Sequence, residues 1–220
     1  MPPSSPWRRA ARLGATAATA LALVLSLAAA ATAAPGDLDP EFSGDGKVVT
    51  DAGGYERSAD VAVQPDGKIL TLGHRYNSAE ELGDFLLTRY DADGSLDSTF
   101  GGGDGIVLTD IGGFWDDTAA ALALQPDGKI VAAGTTYPEF GRYLFGVVRY
   151  NADGTPDTSF GNGGIVTTGV NDPTGSARAT AVALQPDGKI VAGGVSDLGA
   201  SWCVTPSTVP WTPRSTTTAE

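Results

Sequence analysis

Apolar residues along this chain fall in short runs, and the runs recur. Ala119–Gln125 is apolar almost throughout, Pro126-Asp127-Gly128 interrupts it, and a second apolar run follows at Lys129–Gly134. Proline sets the first turn dihedral, aspartate bonds locally and glycine accepts a positive φ at low cost, so this stretch predicts a hairpin. Gly105–Thr109 precedes the hairpin, and Tyr143–Tyr150 follows it and ends at the turn signal Asn151-Ala152-Asp153-Gly154. The same order appears on either side. Lys47–Thr50, Asp60–Gln64, Lys68–Gly73 and Asp84–Tyr90 form an earlier set, and Gly164–Thr168, Ala179–Gln185 and Lys189–Gly194 begin a later one. Beyond residue 34 no long segment carries a 3.6-residue apolar period.

The hexapeptide Gln-Pro-Asp-Gly-Lys-Ile occurs at Gln64–Ile69, Gln125–Ile130 and Gln185–Ile190, at offsets of 61 and 60 residues. A fixed period of that size marks a tandem array of one supersecondary unit. The runs at residues 121–124 and 181–184 are apolar on both faces, which predicts sheets covered on both sides by neighbouring units. The expected fold is therefore all-β, with β-propeller-type blades of four antiparallel strands and about three repeats, an incomplete propeller. A β-helix is the competing architecture, but its coils are far shorter than one of these units. Leu96–Gly101, Ala123–Gly134 and Arg149–Gly154 together resemble the delta-60 repeat, a family of tandem repeats in secreted bacterial proteins. The resemblance spans residues 36–195. It implies a propeller fold and export, and it brings no activity and no catalytic residue.

The first residues stand outside the array. Arg8, Arg9 and Arg12 precede an apolar stretch, Ala15–Ala31, and Ala31-Thr32-Ala33 fits a small-x-small cleavage site. Residues 1–33 are expected to be a signal peptide rather than a membrane anchor, because no stop-transfer pattern follows. The Arg8-Arg9 pair lacks the bulky apolar residues of twin-arginine export, so the general route is expected, to a secreted or cell-surface location. Cleavage takes the formal net charge from −12 to −15. So acidic a surface repels phosphate backbones and argues against nucleic acid as a partner. No membrane span is expected after signal removal. The single cysteine, Cys203, allows no internal disulfide, so the core has to stabilise the domain.

Residues 34–199 divide into repeats at about 37–96, 97–156 and 157–199, the last incomplete. From residue 200 the chain turns rich in Thr, Pro and Ser, and no apolar strand is expected there. Generic codons from Trp202 onward, taken from the third base, permit Val-Arg-Tyr-x-x-Asp-Gly-x-Leu-Asp-x-x-Phe, the pattern of Val148–Phe160. The codon after that Phe cannot give the glycine of Gly101 and Gly161. Residues 200–220 are thus expected to be frame-shifted rather than a Thr/Pro-rich stalk, with further blades encoded in the intact gene. Too few blades for a closed ring leaves edges open, so the present chain is expected to self-associate.

Candidate chemistry is sparse. Asp91, Asp93 and Asp97, and Asn151, Asp153 and Asp157, have the spacing that begins a calcium loop, but the downstream bidentate glutamate is missing and turns favour these residues anyway. The glycine-rich 101–105 and 161–164 segments are expected to be flexible blade-to-blade connections. His74, the only histidine, has no neighbouring ligand or nucleophile and is expected to be incidental on the surface. No catalytic or cofactor-binding residue is expected.

Residues shared by all units report the fold, so function is expected in what varies: Asp51–Ser58, Arg75–Gly83, Ile111–Asp117, Thr135–Arg142 and Gly169–Arg178. These segments include Tyr76, Glu80, Glu81, Phe114, Trp115, Tyr137, Glu139 and Phe140. The expectation is a non-enzymatic exported module that binds a protein or glycan ligand. The alternatives are a propeller-type lyase or glycan-active enzyme, and a calcium-stabilised structural repeat. Nucleotide sequencing should reveal a single-base frame change near codons 195–202 that restores the repeat and leads into at least one more Gln-Pro-Asp-Gly-Lys-Ile. An intact reading frame there would exclude this origin for the tail.

Overall fold

The structure is a computed structural model that describes residues 34–77, 82–112, 116–139, 142–169 and 175–206. Among them are eleven strands and no helix. The strands are β1 (Tyr55–Val63), β2 (Ile69–Asn77), β3 (Leu82–Tyr90), β4 (Ile106–Thr109), β5 (Thr118–Leu124), β6 (Ile130–Glu139), β7 (Arg142–Tyr150), β8 (Ile165–Thr168), β9 (Ala177–Leu184), β10 (Ile190–Ser196) and β11 (Gly199–Thr205). They form three antiparallel sheets, β1-β2-β3-β4, β5-β6-β7-β8 and β9-β10-β11. The Pro-Asp-Gly turns close the first hairpin of each sheet as expected, with Gln64, Gln125 and Gln185 bonded to Lys68, Lys129 and Lys189 across them.

The sheets stack as blades of an unclosed propeller. Leu70, Leu72, Phe85 and Leu87 of the first blade bury against Ala119, Leu122, Ile130, Ala132, Val148 and Tyr150 of the second. Val131, Ala133, Phe145 and Val147 then bury against Ala177, Ala179, Ile190 and Ala192 of the third. Apolar side chains on both faces of the middle sheet account for the continuous apolar runs in its sequence.

The sheets do not coincide with the sequence repeats. Gly105–Thr109, expected to open the second unit, supplies β4, which pairs with β3 of the first blade through Phe85↔Thr109 and Thr88↔Ile106. Gly164–Thr168 likewise supplies β8 of the second blade. Lys47–Thr50 forms no strand and lies along the outer face of the first blade. The first two blades therefore take their fourth strand from the following repeat. The glycine-rich segments link β3 to β4 and β7 to β8 within one sheet, so they are not blade-to-blade connections. The connections that cross between blades are 110–117 and 169–176.

A second correction concerns the tail. Residues 199–205 form β11, paired with β10 from Ile190↔Thr205 to Ser196↔Gly199. Backbone pairing depends little on side-chain identity, and Trp, Cys, Val and Thr suit a half-buried strand. The tight turn at Asp197-Leu198 then suffices to start it, with Gly199 at φ 116°. Residues 207–220 lie outside the described residues, as does the signal segment 1–33.

Each fourth strand is preceded by a buried ionic clasp. Arg89 donates from Nε to Asp97 Oδ2 at 2.6 Å, and Lys68 Nζ approaches the same oxygen at 3.1 Å. The Arg89 Nη1 reaches forward to the carbonyl of Ala152 in the second blade at 2.6 Å, and its guanidinium lies 4.3 Å from the centre of the Phe100 ring. That ring rests on Gly154, where a Cβ would come within 2.8 Å of it and where φ is +87°. One blade on, Arg149 (2.7 Å), Lys129 (3.1 Å) and the Phe160 ring (4.5 Å from the guanidinium) repeat the arrangement around Asp157. Burial alone would raise both carboxyls. Hydrogen bonds from Thr99 and Ser159, with the Lys and Arg partners, outweigh it and hold both far below the usual carboxylate range.

Removing one partner leaves a buried charge uncompensated, so Asp157→Ala should cost about 3–5 kcal/mol in urea denaturation. Because both carboxyls titrate lower in the folded chain, their stabilisation is present above about pH 4 and is lost as pH falls toward their folded values. The urea midpoint should accordingly fall steadily below about pH 4, more in the native chain than in Asp157→Ala. A wild-type midpoint that stays flat on acidification would contradict the clasp.

Candidate ligand-binding rim

The strand order divides the array into two rims. The Pro-Asp-Gly turns, the Arg-Tyr strand ends and the Asp-x-Asp and Asn-x-Asp turns all lie at one rim. The segments that differ between repeats lie at the other, where β1, β5 and β9 begin and β2, β6 and β10 end.

The calcium-loop positions sit at the shared rim, with their oxygens engaged. Asp97 Oδ1 accepts from Thr99 N (2.9 Å) and Thr99 Oγ1 (2.7 Å), while its Oδ2 holds Arg89 and Lys68. Asp157 is bound in the same way by Ser159, Arg149 and Lys129. Asp93 and Asp153 accept from Ser95 and Thr155 in local turns. Asp91 pairs with Lys68, and Asn151 accepts from Lys129 Nζ at 3.0 Å. The Lys68 ammonium lies against both Asp91 and Asp97, and the Lys129 ammonium against Asn151 and Asp157. Among the described residues no three His, Cys, Asp or Glu side chains group as metal ligands.

At the variable rim, a groove of about 160 Å³ opens between the first two blades, lined by Tyr55, Arg57, His74, Tyr76, Asp116 and Asp117. Tyr55 and Arg57 alternate along β1 and so share a face, with the guanidinium 5.6 Å from the Tyr55 ring centre. His74 and Tyr76 share a face at the end of β2. Asp116 and Asp117 arrive on the connection that enters β5. His74 is not an incidental surface residue. It is half-buried, and its Nδ1 is buried without a hydrogen-bond partner. Burial first, and then the nearby Arg57 charge, lower its pKa, so the imidazole is neutral at pH 7.

Asp117 is buried, its Oδ2 accepts from Ile111 N at 2.6 Å, and the Thr136 hydroxyl and Gly112 amide lie close enough to its carboxyl to oppose the effect of burial. Burial pushes its carboxyl up to about 6. At the next junction along the same rim, the Arg178 guanidinium lies 3.6 Å from the Tyr143 ring centre, and the Tyr143 and Tyr137 rings are 4.8 Å apart. Tyrosine and arginine thus alternate across two consecutive junctions.

Of the variable residues singled out from sequence, Tyr76 and Tyr137 lie at this rim. Glu80, Glu81, Phe114, Trp115 and Phe140 fall outside the described residues, and so does the Glu139 side chain. Tyr55, Arg57, Asp116, Asp117, Tyr143 and Arg178 were not singled out. Aligning the repeats would have marked them: His74 stands where Thr135 and Val195 stand, and Tyr55 where Asp116 and Ser176 stand.

Comparison with known proteins agrees with the architecture. A family described as a domain of unknown function (DUF5122) β-propeller matches residues 64–100 and 125–160. The match carries a fold and no activity. No curated protein matches. Among solved structures, an endo-arabinase from Bacteroides thetaiotaomicron is 16% identical over 74% of this chain, with a TM-score of 0.41, and the chain spans 60% of that protein. A fucose lectin from Kordia zhangzhouensis is 13% identical over 68% of this chain and 98% of its own, with a TM-score of 0.33. Neither superposition is close enough to transfer a role.

A carboxyl raised in the folded chain favours folding most below the unfolded value near pH 4, and that contribution is lost as pH rises through about 6. Stability should therefore rise on the order of 1–1.5 kcal/mol between pH 7.5 and 5, before the clasp carboxyls weaken. In Asp117→Asn this rise should disappear. Thermal melting across that range checks it, and an equal rise in the variant would assign the effect to another group.

Proposed function

We propose that the chain is an exported, non-enzymatic ligand-binding module of delta-60 type, and that its ligand sits on the variable rim. The observation that supports this most is the groove lined by Tyr55, Arg57, His74, Tyr76 and Asp116, assembled from positions that differ between repeats while the opposite rim keeps its turns constant. Tyrosine rings give large contact area at low entropic cost, and arginine and aspartate fix orientation through directional hydrogen bonds. The exposed Asp116 carboxylate adds an acceptor for hydroxyl donors at the groove. Such a set suits a polar, hydroxyl-bearing ligand such as a glycan better than an apolar one.

An enzymatic reading rests on Asp117, a carboxyl that can hold a proton near pH 6 beside a neutral histidine. It is the weaker reading, because Asp117 is tied to the Ile111 amide and the neighbouring Asp116 is exposed rather than set against it.

Arrays of neutral and acidic glycans decide between the readings. The native chain should bind a subset, and Arg57→Ala and Tyr76→Ala should each weaken that binding at least tenfold with the thermal midpoint unchanged. Added chelator should leave binding unaltered. Release of new reducing ends or unsaturated products, abolished by Asp117→Asn, would establish the enzymatic reading instead.

A further inference from the structure

Both ends of the described array present half of a blade junction, and the halves match. Residues 38–50 dock on the first blade as residues 96–109 dock on the second. Thr50 Oγ1 lies 2.7 Å from Tyr90 OH, and Thr109 Oγ1 lies 2.8 Å from Tyr150 OH. Ser43 N donates to the Asp93 carbonyl at 2.7 Å, and Gly101 N donates to the Asp153 carbonyl at 3.0 Å. Phe42 covers Gly94 as Phe100 covers Gly154. Lys47–Thr50 thus occupies the place of β4 relative to the blade that follows it, but no sheet edge lies beside it. Val49 is 97% exposed, whereas Leu108, its counterpart in β4, is 38% exposed.

The third blade has the opposite defect. Among the described residues β11 is its outer strand, with no partner beyond it. In the β3–β4 register the vacant partner positions face Ala200, Ser201, Trp202 and Cys203. The exposed face of this blade carries Gly193, Ala200 and Trp202, where the first blade carries Leu72, Phe85 and Leu87. One large ring beside two small residues replaces three medium ones, and Trp202 is 71% exposed. On the outer face of the first blade, a cavity of about 450 Å³ lined by Phe42, Ile69, Thr71, Leu86, Thr88 and Tyr90 stands where the second blade receives Leu72, Phe85 and Leu87.

We propose that a second copy of this chain fills both vacancies. Lys47–Thr50 of one copy adds to β11 of the other, Trp202 enters the outer cavity of the first blade, and two copies close head to tail as a six-bladed ring. Blade stacking is a heterologous contact already made twice inside the chain, so a further copy continues it rather than requiring a new surface. Six blades fall within the about four to eight of closed propellers. Val204 stands where Arg89 and Arg149 stand, so this junction lacks the clasp arginine and keeps only Lys189 beside strand pairing and apolar contact. It is accordingly weaker than the internal ones.

Light scattering on the full chain should give a dimer of constant mass across a hundredfold concentration range, and Trp202→Asp should give a monomer with an unchanged far-ultraviolet spectrum. Lys47 is exposed, so Lys47→Cys leaves the fold intact, and the register sets it opposite Cys203 of the second copy. Mild oxidation should then link two chains, and Lys47→Cys/Cys203→Ser should not cross-link through that position. A wild-type monomer, an open ladder of higher oligomers, or no intermolecular disulfide would each overturn the proposal. So would an intact mass above that of 220 residues, which would mean that further blades of one polypeptide cover the seat.

Discussion

A carboxylate with its side chain less than one-tenth exposed sits at each internal junction, Asp97 at the first and Asp157 at the second, and the surrounding structure is arranged to keep it charged. Removing such a group from water costs several kcal/mol, and the cost is recovered only when cations and donors saturate it. Arginine does so from the end of the third strand, lysine from the turn just before the second, and a Thr or Ser hydroxyl from the chain just beyond the carboxylate. The arrangement fixes more than charge. The same guanidinium covers an aromatic ring that packs on a glycine of the next blade, and Arg89 also bonds the Ala152 carbonyl there. One buried ion therefore locks a blade's fourth strand and its contact with the next blade together.

This coupling separates the rims. Where the clasp lies, both internal junctions use the same Arg, Lys, Asp and Gly, and only like-for-like changes such as Thr99 for Ser159 occur. At the opposite rim, the loops close no junction of this kind and can differ. Tyr55 and His74 stand there without counterparts in the other repeats, Arg57 recurs only as Arg178, and the half-buried histidine keeps an unsatisfied nitrogen. Buried unsatisfied atoms cost stability. Such atoms lie at both rims, His74 Nδ1 at the variable one and Gln64 Oε1 and Gln125 Oε1 beside the constant turns.

Strand existence was legible in the sequence because it is local. Pro-Asp-Gly between two apolar runs defines a hairpin whatever lies around it. Strand partnership was not legible, because Ile106–Thr109 has the same composition whether it starts one blade or completes another. Only the register with Phe85–Thr88 decides that. The tail failed for a related reason: Trp202-Cys203-Val204-Thr205 breaks the repeat's side-chain pattern, but the backbone hydrogen bonds of β10 accept it. The groove escaped notice because Arg57 and Asp116 lie about a full repeat apart in sequence and meet only when blades stack. The clasp escaped the spacing argument because spacing places the carboxylates without saying that lysine and arginine meet them.

Borrowing each fourth strand from the next repeat has a structural consequence for the ends. A blade made wholly within one repeat could be added or removed without loss, but here Lys47–Thr50 of the first repeat lies beside no sheet, and among the described residues the last sheet has three strands. The first blade's outer face shows how such an end is kept folded. Thr71 and Thr88 replace the Ala132 and Val148 of the second blade, and their hydroxyls bond each other at 2.6 Å. That pair is satisfied within the face itself, so the face tolerates water when open and needs no new donor when covered. A purely apolar seat would favour collapse onto any greasy surface, and a charged one could not be buried. The internally bonded threonine pair permits both states, which is what a junction completed from outside requires.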